Sequence, residues 1–66
     1  MKPTIKDFRT RKKLRQVDMA KAAGITVTNY QRIEYGTQRP SLDTAIRIVD
    51  ALGVQDLREL WTKEMR

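Results

Sequence analysis

The chain has no cysteine and no histidine among its 66 residues, and only one tryptophan, two tyrosines and one phenylalanine. Without cysteine or histidine there are no disulfides, no thiolate nucleophile, no imidazole base and none of the usual zinc ligand sets. The remaining Asp, Glu, Ser and Thr could support only unusual chemistry, so no catalytic activity, metal or cofactor is expected. Apolar residues make up 39% of the chain but never run longer than two in a row, which excludes a membrane span and a signal-peptide hydrophobic region. A soluble, cytoplasmic protein is expected. A chain of about 60 residues buries only about 60% of its unfolded surface, so residues 1–66 are expected to form one small domain.

The net charge of +6 is unevenly placed. Residues 1–15 hold Lys2, Lys6, Arg9, Arg11, Lys12, Lys13 and Arg15 against Asp7 alone, whereas residues 16–66 carry seven charges of each sign. Such a basic block suits a polyanion, either nucleic acid or an anionic membrane surface; its plainest reading is a solvated basic tail.

No stretch alternates strictly as a half-buried strand would, and apolar spacing predicts helices throughout. Thr4 and Asp7 make a capping signal for a first helix ending near Lys13, with Ile5, Phe8 and Arg9 on one face. A second helix runs from about Gln16 to Ala23, turns Ala20 and Ala23 inward and closes at Gly24. Thr26 caps a third, ending near Tyr35 before Gly36. At about 100° per residue, Tyr30, Ile33 and Glu34 of this helix point one way. Thr28, Gln31, Arg32 and Tyr35 point the other, with Val27 at the edge. Thr37 to Pro40 is a polar loop. Ser41 caps a fourth helix whose apolar stripe is expected to be Leu42, Ala45, Ile46, Val49 and Leu52, stopped by Gly53. Asp56 and Glu59 begin a fifth, with Leu57, Leu60 and Trp61 on one side.

Residues 16–35 therefore combine a short helix, a glycine turn and a capped helix with a small inward face and a polar outward one. This is the pattern of a helix-turn-helix, in which Ala20 permits close crossing and Gly24 supplies the left-handed turn. The same spacing would also serve an ordinary helical hairpin. The sequence L-R-Q-V-D-M-A-K-A-A-G-I-T-V-T-N-Y-Q-R-I-E-Y-G-T-Q-R-P from Leu14 to Pro40, continued by S-L-D-T-A-I-R-I-V-D-A-L-G-V, resembles the phage repressor and Cro (Xre-type) helix-turn-helix family. The resemblance runs from about Ile5 to Trp61. It rests on Gln16 opening the second helix, Ala20, Ala23-Gly24-Ile25, Arg32-Ile33-Glu34 before Gly36, and Pro40-Ser41-Leu42. Arg15 departs from it, standing where a Ser, Thr or Asn cap is usual, and so does Tyr30, standing where an aliphatic residue is usual.

The resemblance implies an all-α, five-helix, lambda-repressor-like domain, bacterial or phage-encoded, whose helices 2 and 3 form the motif. It also implies docking of the third helix in the major groove of double-stranded DNA while the second crosses the backbone. By matching position, Val27, Thr28 and Arg32 are the leading candidates for base contact, followed by Asn29 and Gln31. Arg32 suits the O6 and N7 of guanine, and Val27 suits a thymine methyl. Gln16, with Arg15 beside it, is expected to aim its side-chain amide and backbone N–H at a phosphate. Thr37, Gln38 and Arg39 are expected to flank the backbone, and Lys12 and Lys13 to face phosphates as part of the basic block. Arg9 and Glu34 lie on inward faces and need partners, so they are expected to pair with each other, as the matching positions do in the family.

The function implied is sequence-specific binding of operator DNA by a transcriptional regulator, a repressor acting as a homodimer on a palindrome. Leu57, Leu60 and Trp61 either close the core or share in the dimer contact. No small-molecule ligand or membrane partner is expected. An antitoxin-type regulator and a protein-interaction module on the same fold are the rival readings.

Overall fold

The structure, a computed structural model, describes residues 4–55. The described residues form four helices and no strand: α1 (Ile5–Arg11), α2 (Gln16–Ala23), α3 (Val27–Tyr35) and α4 (Leu42–Leu52). The expected fifth helix, with Leu57, Leu60 and Trp61, lies outside the described residues.

Local chemistry sets each helix start. The Thr4 hydroxyl accepts from the Asp7 N–H while the Asp7 carboxylate accepts from the Thr4 N–H, a reciprocal cap. Thr26 accepts from the Asn29 N–H, and Ser41 from the Thr44 N–H. At α2 no hydroxyl is present; the Asp18 carboxylate reaches back to the Arg15 N–H at 2.8 Å and also holds the Arg15 guanidinium at 3.0 Å. The helix ends share one device, a left-handed residue followed by an N–H that returns to a carbonyl five positions earlier. Gly24 does this for α2 at φ 71°, with the Ile25 N–H on the Ala20 carbonyl at 3.0 Å. In α1 the left-handed residue is Lys13, at φ 58°, with the Leu14 N–H on the Arg9 carbonyl. A lysine there carries the strain that a glycine avoids.

Packing is organised around α2, which touches both α3 and α4. Met19, Ala20 and Ala23 of α2 meet Tyr30 and Ile33 of α3 and the inner face of α4 in one apolar cluster. Small residues at 20 and 23 allow the helices to approach closely, and Tyr30, Met19 and Ile48 fill the centre without residual exposure. Ile5 of α1 joins the same core, with Phe8 and Leu14 packed at its edge. The buried face of α4 differs from the expected stripe. Ala45, Ile48, Val49 and Leu52 are buried, whereas Leu42 is 62% and Ile46 42% exposed. Ile48 lies on the side of the helix facing α2, and its burial rotates Leu42 and Ile46 away from the centre. At the α2–α4 junction, the Arg47 guanidinium reaches the Ala23 carbonyl at 3.5 Å and the Asp43 carboxylate at 3.3 Å, placing a cation at the carbonyl end of α2.

Candidate nucleic-acid interface

The α2–turn–α3 unit presents two chemically distinct surfaces. The inner one is anchored by Tyr30 and Ile33, both buried. The outer one carries Val27, Thr28, Arg32 and Tyr35, all exposed, along one side of α3. Among the described residues no carboxylate pairs with Arg32. Asn29 and Gln31 are half-buried at the margins of this face. Tyr35, 67% exposed, stands in line with Thr28 two turns further along. The spacing of about 100° per residue along α3 places it on the same outward face as Thr28 and Arg32, a position from which it too can reach the duplex.

A polar cluster holds α3 to its neighbours from behind. The Arg9 Nε donates to Glu34 Oε1 at 2.6 Å, with the two side chains 11% and 1% exposed. Arg9 Nη1 also donates to the Leu14 carbonyl at 2.8 Å, fixing the link from α1 to α2. Glu34 accepts from two further groups, the Tyr30 hydroxyl at 3.0 Å and Gln16 Nε2 at 2.7 Å. Burial alone would raise the Glu34 carboxyl, but the donors on Arg9, Gln16 and Tyr30 outweigh it and hold it below its ordinary range. The Glu34 hydrogen bond raises Arg9 in turn. Burial pushes the Tyr30 hydroxyl well above its ordinary range, with the Glu34 charge adding to it. No buried side-chain nitrogen or oxygen among the described residues lacks a partner. Tyr30, in a place where the family resemblance favours an aliphatic residue, thus supplies a hydroxyl to the cluster.

Gln16 belongs to this cluster. Its amide nitrogen is committed to Glu34 and its oxygen accepts from Gln31 Nε2 at 3.1 Å. The side-chain amide expected to point at a phosphate is therefore turned toward α3, leaving the backbone amides of α2's first turn for that role. Arg15 is exposed but bound to Asp18, which the guanidinium and the Arg15 backbone hold below its ordinary pKa. In the loop after α3, Thr37 and Gln38 return their N–H groups to the Arg32 carbonyl, and Arg39 is exposed. Lys13 is exposed in its left-handed turn. The Lys12 ammonium lies over Gly53, where a β-carbon would come within 3.2 Å of it, so it sits at the carbonyl end of α4.

Two short helices joined by a glycine turn, the second anchored on one side and polar on the other, define a helix-turn-helix protein. The chain belongs to the Cro/C1-type helix-turn-helix family, whose model, described as Helix-turn-helix, matches residues 5–60. It is a DNA-binding transcription regulator by that membership. No curated protein and no solved structure gives a significant match. Among the described residues no helix is long and apolar enough to cross a membrane, and no group of Asp and Glu is placed to hold a metal ion.

Proposed function

We propose that the chain, acting as one domain over residues 1–66, is a sequence-specific repressor that binds a palindromic operator as a homodimer in the cytoplasm. The observation that carries this reading is the face of α3 formed by Val27, Thr28 and Arg32, exposed on a helix whose opposite side is pinned by a buried ion pair. Val27, Thr28 and Arg32 contact base edges, with Asn29 and Gln31 at the margin. The backbone amides at Gln16, together with Arg15, Thr37, Gln38 and Arg39, position the duplex through its phosphates. Lys12, Lys13 and the rest of the N-terminal basic block, apart from the buried Arg9, add affinity that is blind to sequence and sensitive to salt.

Pairing follows from scarcity of contacts. One small module reads few base pairs, and two copies on half-sites roughly 34 Å apart supply the specificity that one lacks. Leu57, Leu60 and Trp61 are the proposed contact, and the exposed apolar pair Leu42 and Ile46 on α4 adds support for association between copies. A bound dimer represses by occluding a promoter.

Selection of bound sequences from a random duplex pool tests the reading. A palindromic consensus is the expected result, and Arg32→Ala is expected to relax preference at one base pair per half-site by about 1–3 kcal/mol. No enrichment over background would refute DNA reading, and sedimentation showing only monomer, free and on DNA, would refute the dimer.

A further inference from the structure

Arg15 opens α2 in an arrangement that the other described helix starts do not share. Thr4, Thr26 and Ser41 each turn a hydroxyl inward to accept from their own helix. A guanidinium has no acceptor to offer, so at α2 Asp18 does the capping, taking the Arg15 N–H at 2.8 Å. The same carboxylate also takes the Arg15 side chain: Nε donates to Oδ2 at 3.1 Å and Nη2 to Oδ1 at 3.0 Å. Two parallel hydrogen bonds from one planar edge are also the geometry with which arginine grips a phosphate. The side chain is 77% exposed, and among the described residues it has no hydrogen-bond partner other than Asp18. The amide of Gln16, next in sequence, is turned away to Glu34, so at this end of α2 Arg15 is the side chain left to meet an anion.

A carboxylate seated on that edge neutralises Arg15 before DNA arrives. The opposite edge of the guanidinium stays open, but an anion held there would share one cation with Asp18 and be repelled by it. We infer that Asp18 is an internal competitor for the phosphate that Arg15 binds, and that docking on a duplex exchanges the carboxylate for the phosphate. An exposed ion pair is weak, so the exchange is easy for a phosphate held in register by the rest of the interface. A phosphate met in passing gains little from it. Asp18 thereby restrains the sequence-blind part of the affinity at one contact while leaving α3 untouched. The inference rests on the phosphate contact proposed for Arg15 and adds the residue that restrains it.

Asp18→Asn keeps an acceptor for the Arg15 N–H and removes the charge. Full chains carrying Asp18→Asn, Arg15→Met or both are compared with the wild type by affinity for the selected operator duplex over a salt series, with thermal midpoints showing that each is folded. A random-sequence duplex serves if none is enriched, since a phosphate contact does not depend on sequence. Asp18→Asn is expected to bind more tightly, with the slope of log affinity against log salt steeper by up to about 1. The gain is expected to be about two- to fivefold larger with Arg15 present than in the Arg15→Met chain, the worth of an exposed ion pair that the duplex no longer has to break. An equal gain in both backgrounds would show that Asp18 merely repels DNA. Unchanged or weaker binding by Asp18→Asn would show that it withholds nothing, or that it holds Arg15 in place for the phosphate. Any of these results overturns the inference. Should Asp18→Asn fail to fold, Asp18→Gln, whose amide also suits the third position of a helix, is measured with the same expectations. A wild-type chain that binds no duplex would instead remove the proposed DNA contact itself.

Discussion

The Tyr30 hydroxyl donates to the Glu34 carboxylate one helical turn further on, at 3.0 Å, from a residue with no residual exposure. That bond completes a set of donors from three sources on a single carboxylate: Arg9 from α1, Gln16 from α2 and Tyr30 from within α3. Only Arg9 brings a charge. The cluster joins three of the four described helices through one residue, so its members differ in what their removal leaves behind.

Arg9→Met leaves Glu34 buried without its counter-charge. The expected loss is about 3–5 kcal/mol, read as a fall in the urea midpoint at pH 7. A 66-residue chain has on the order of 3–10 kcal/mol in total, so the loss is expected to take at least about a third of its stability. Adding Glu34→Met removes the stranded charge and is expected to recover part of the loss. An unchanged midpoint in Arg9→Met would show that the pair contributes nothing to stability.

Acid acts on the same carboxylate. Glu34 is held below its ordinary value of 4.5, so its contribution is present above that pH and is lost as the pH falls through the lower folded value. Asp7 and Asp18 are lowered from 3.8 and act in the same sense, Asp7 through the Thr4 backbone and hydroxyl and Asp18 through Arg15. Thermal midpoints are therefore expected to be level from about pH 5 to 8 and to fall below about pH 4.5. Glu34→Gln is expected to be less stable at neutral pH and to show a shallower acid slope.

Gly24 and Gly36 are both left-handed, at φ 71° and 84°, but differ in surroundings. A β-carbon at Gly24 would stand 2.8 Å from Arg47 Nη1, and at Gly36 it would meet nothing within 4 Å. Gly36→Ala is expected to cost about 1–2 kcal/mol from backbone strain alone. Gly24→Ala adds the displacement of Arg47 from the end of α2, worth about 0.5–1.5 kcal/mol. In an Arg47→Ala background the two glycine substitutions should cost the same by urea denaturation; a persistent gap would place the extra cost elsewhere.

Lys13→Gly runs the other way. Lys13 holds φ 58° at the end of α1 with the strain of a side chain in a left-handed turn. Its replacement by glycine is expected to raise the unfolding free energy by up to about 1 kcal/mol. The same change removes a cation from the basic block, so DNA affinity should fall and the slope of log affinity against log salt should lessen by about 1. Stability and affinity moving in opposite directions is the signature; a loss of both would contradict it.

The parts of the fold that were legible in the sequence are those determined within a few residues. Thr4 with Asp7, Thr26, Ser41 and the glycines at 24, 36 and 53 carry their own hydrogen-bonding or backbone requirements, so the ends of the helices could be read directly. The face of α4 could not. Its apolar residues span a wide arc, and periodicity alone cannot choose Ile48 over Leu42 and Ile46; contact with α2 makes that choice. Lys13 gave no signal because lysine is not a turn residue. Gln16 could be read as a phosphate ligand from its place at a helix start, since nothing local reveals that Glu34, 18 positions away, stands within reach of its amide. Counting faces put Arg9 and Glu34 inward, but the parts of Tyr30 and Gln16 in their cluster depend on distances that only the packed helices supply.

The bond between Arg9 and Glu34 spans 25 positions of the chain. Joining α2 to α3 closes a short loop, whereas bringing α1 back onto α3 closes a long one, and the entropy of closure rises with loop length. Docking of α1 on α3 therefore carries a larger closure entropy than pairing of α2 with α3, and the Arg9–Glu34 bond is among the contacts that offset it. One carboxylate thus ties the N-terminal helix and the start of α2 to the back of α3, so three segments of the chain share a single hydrogen-bonding centre.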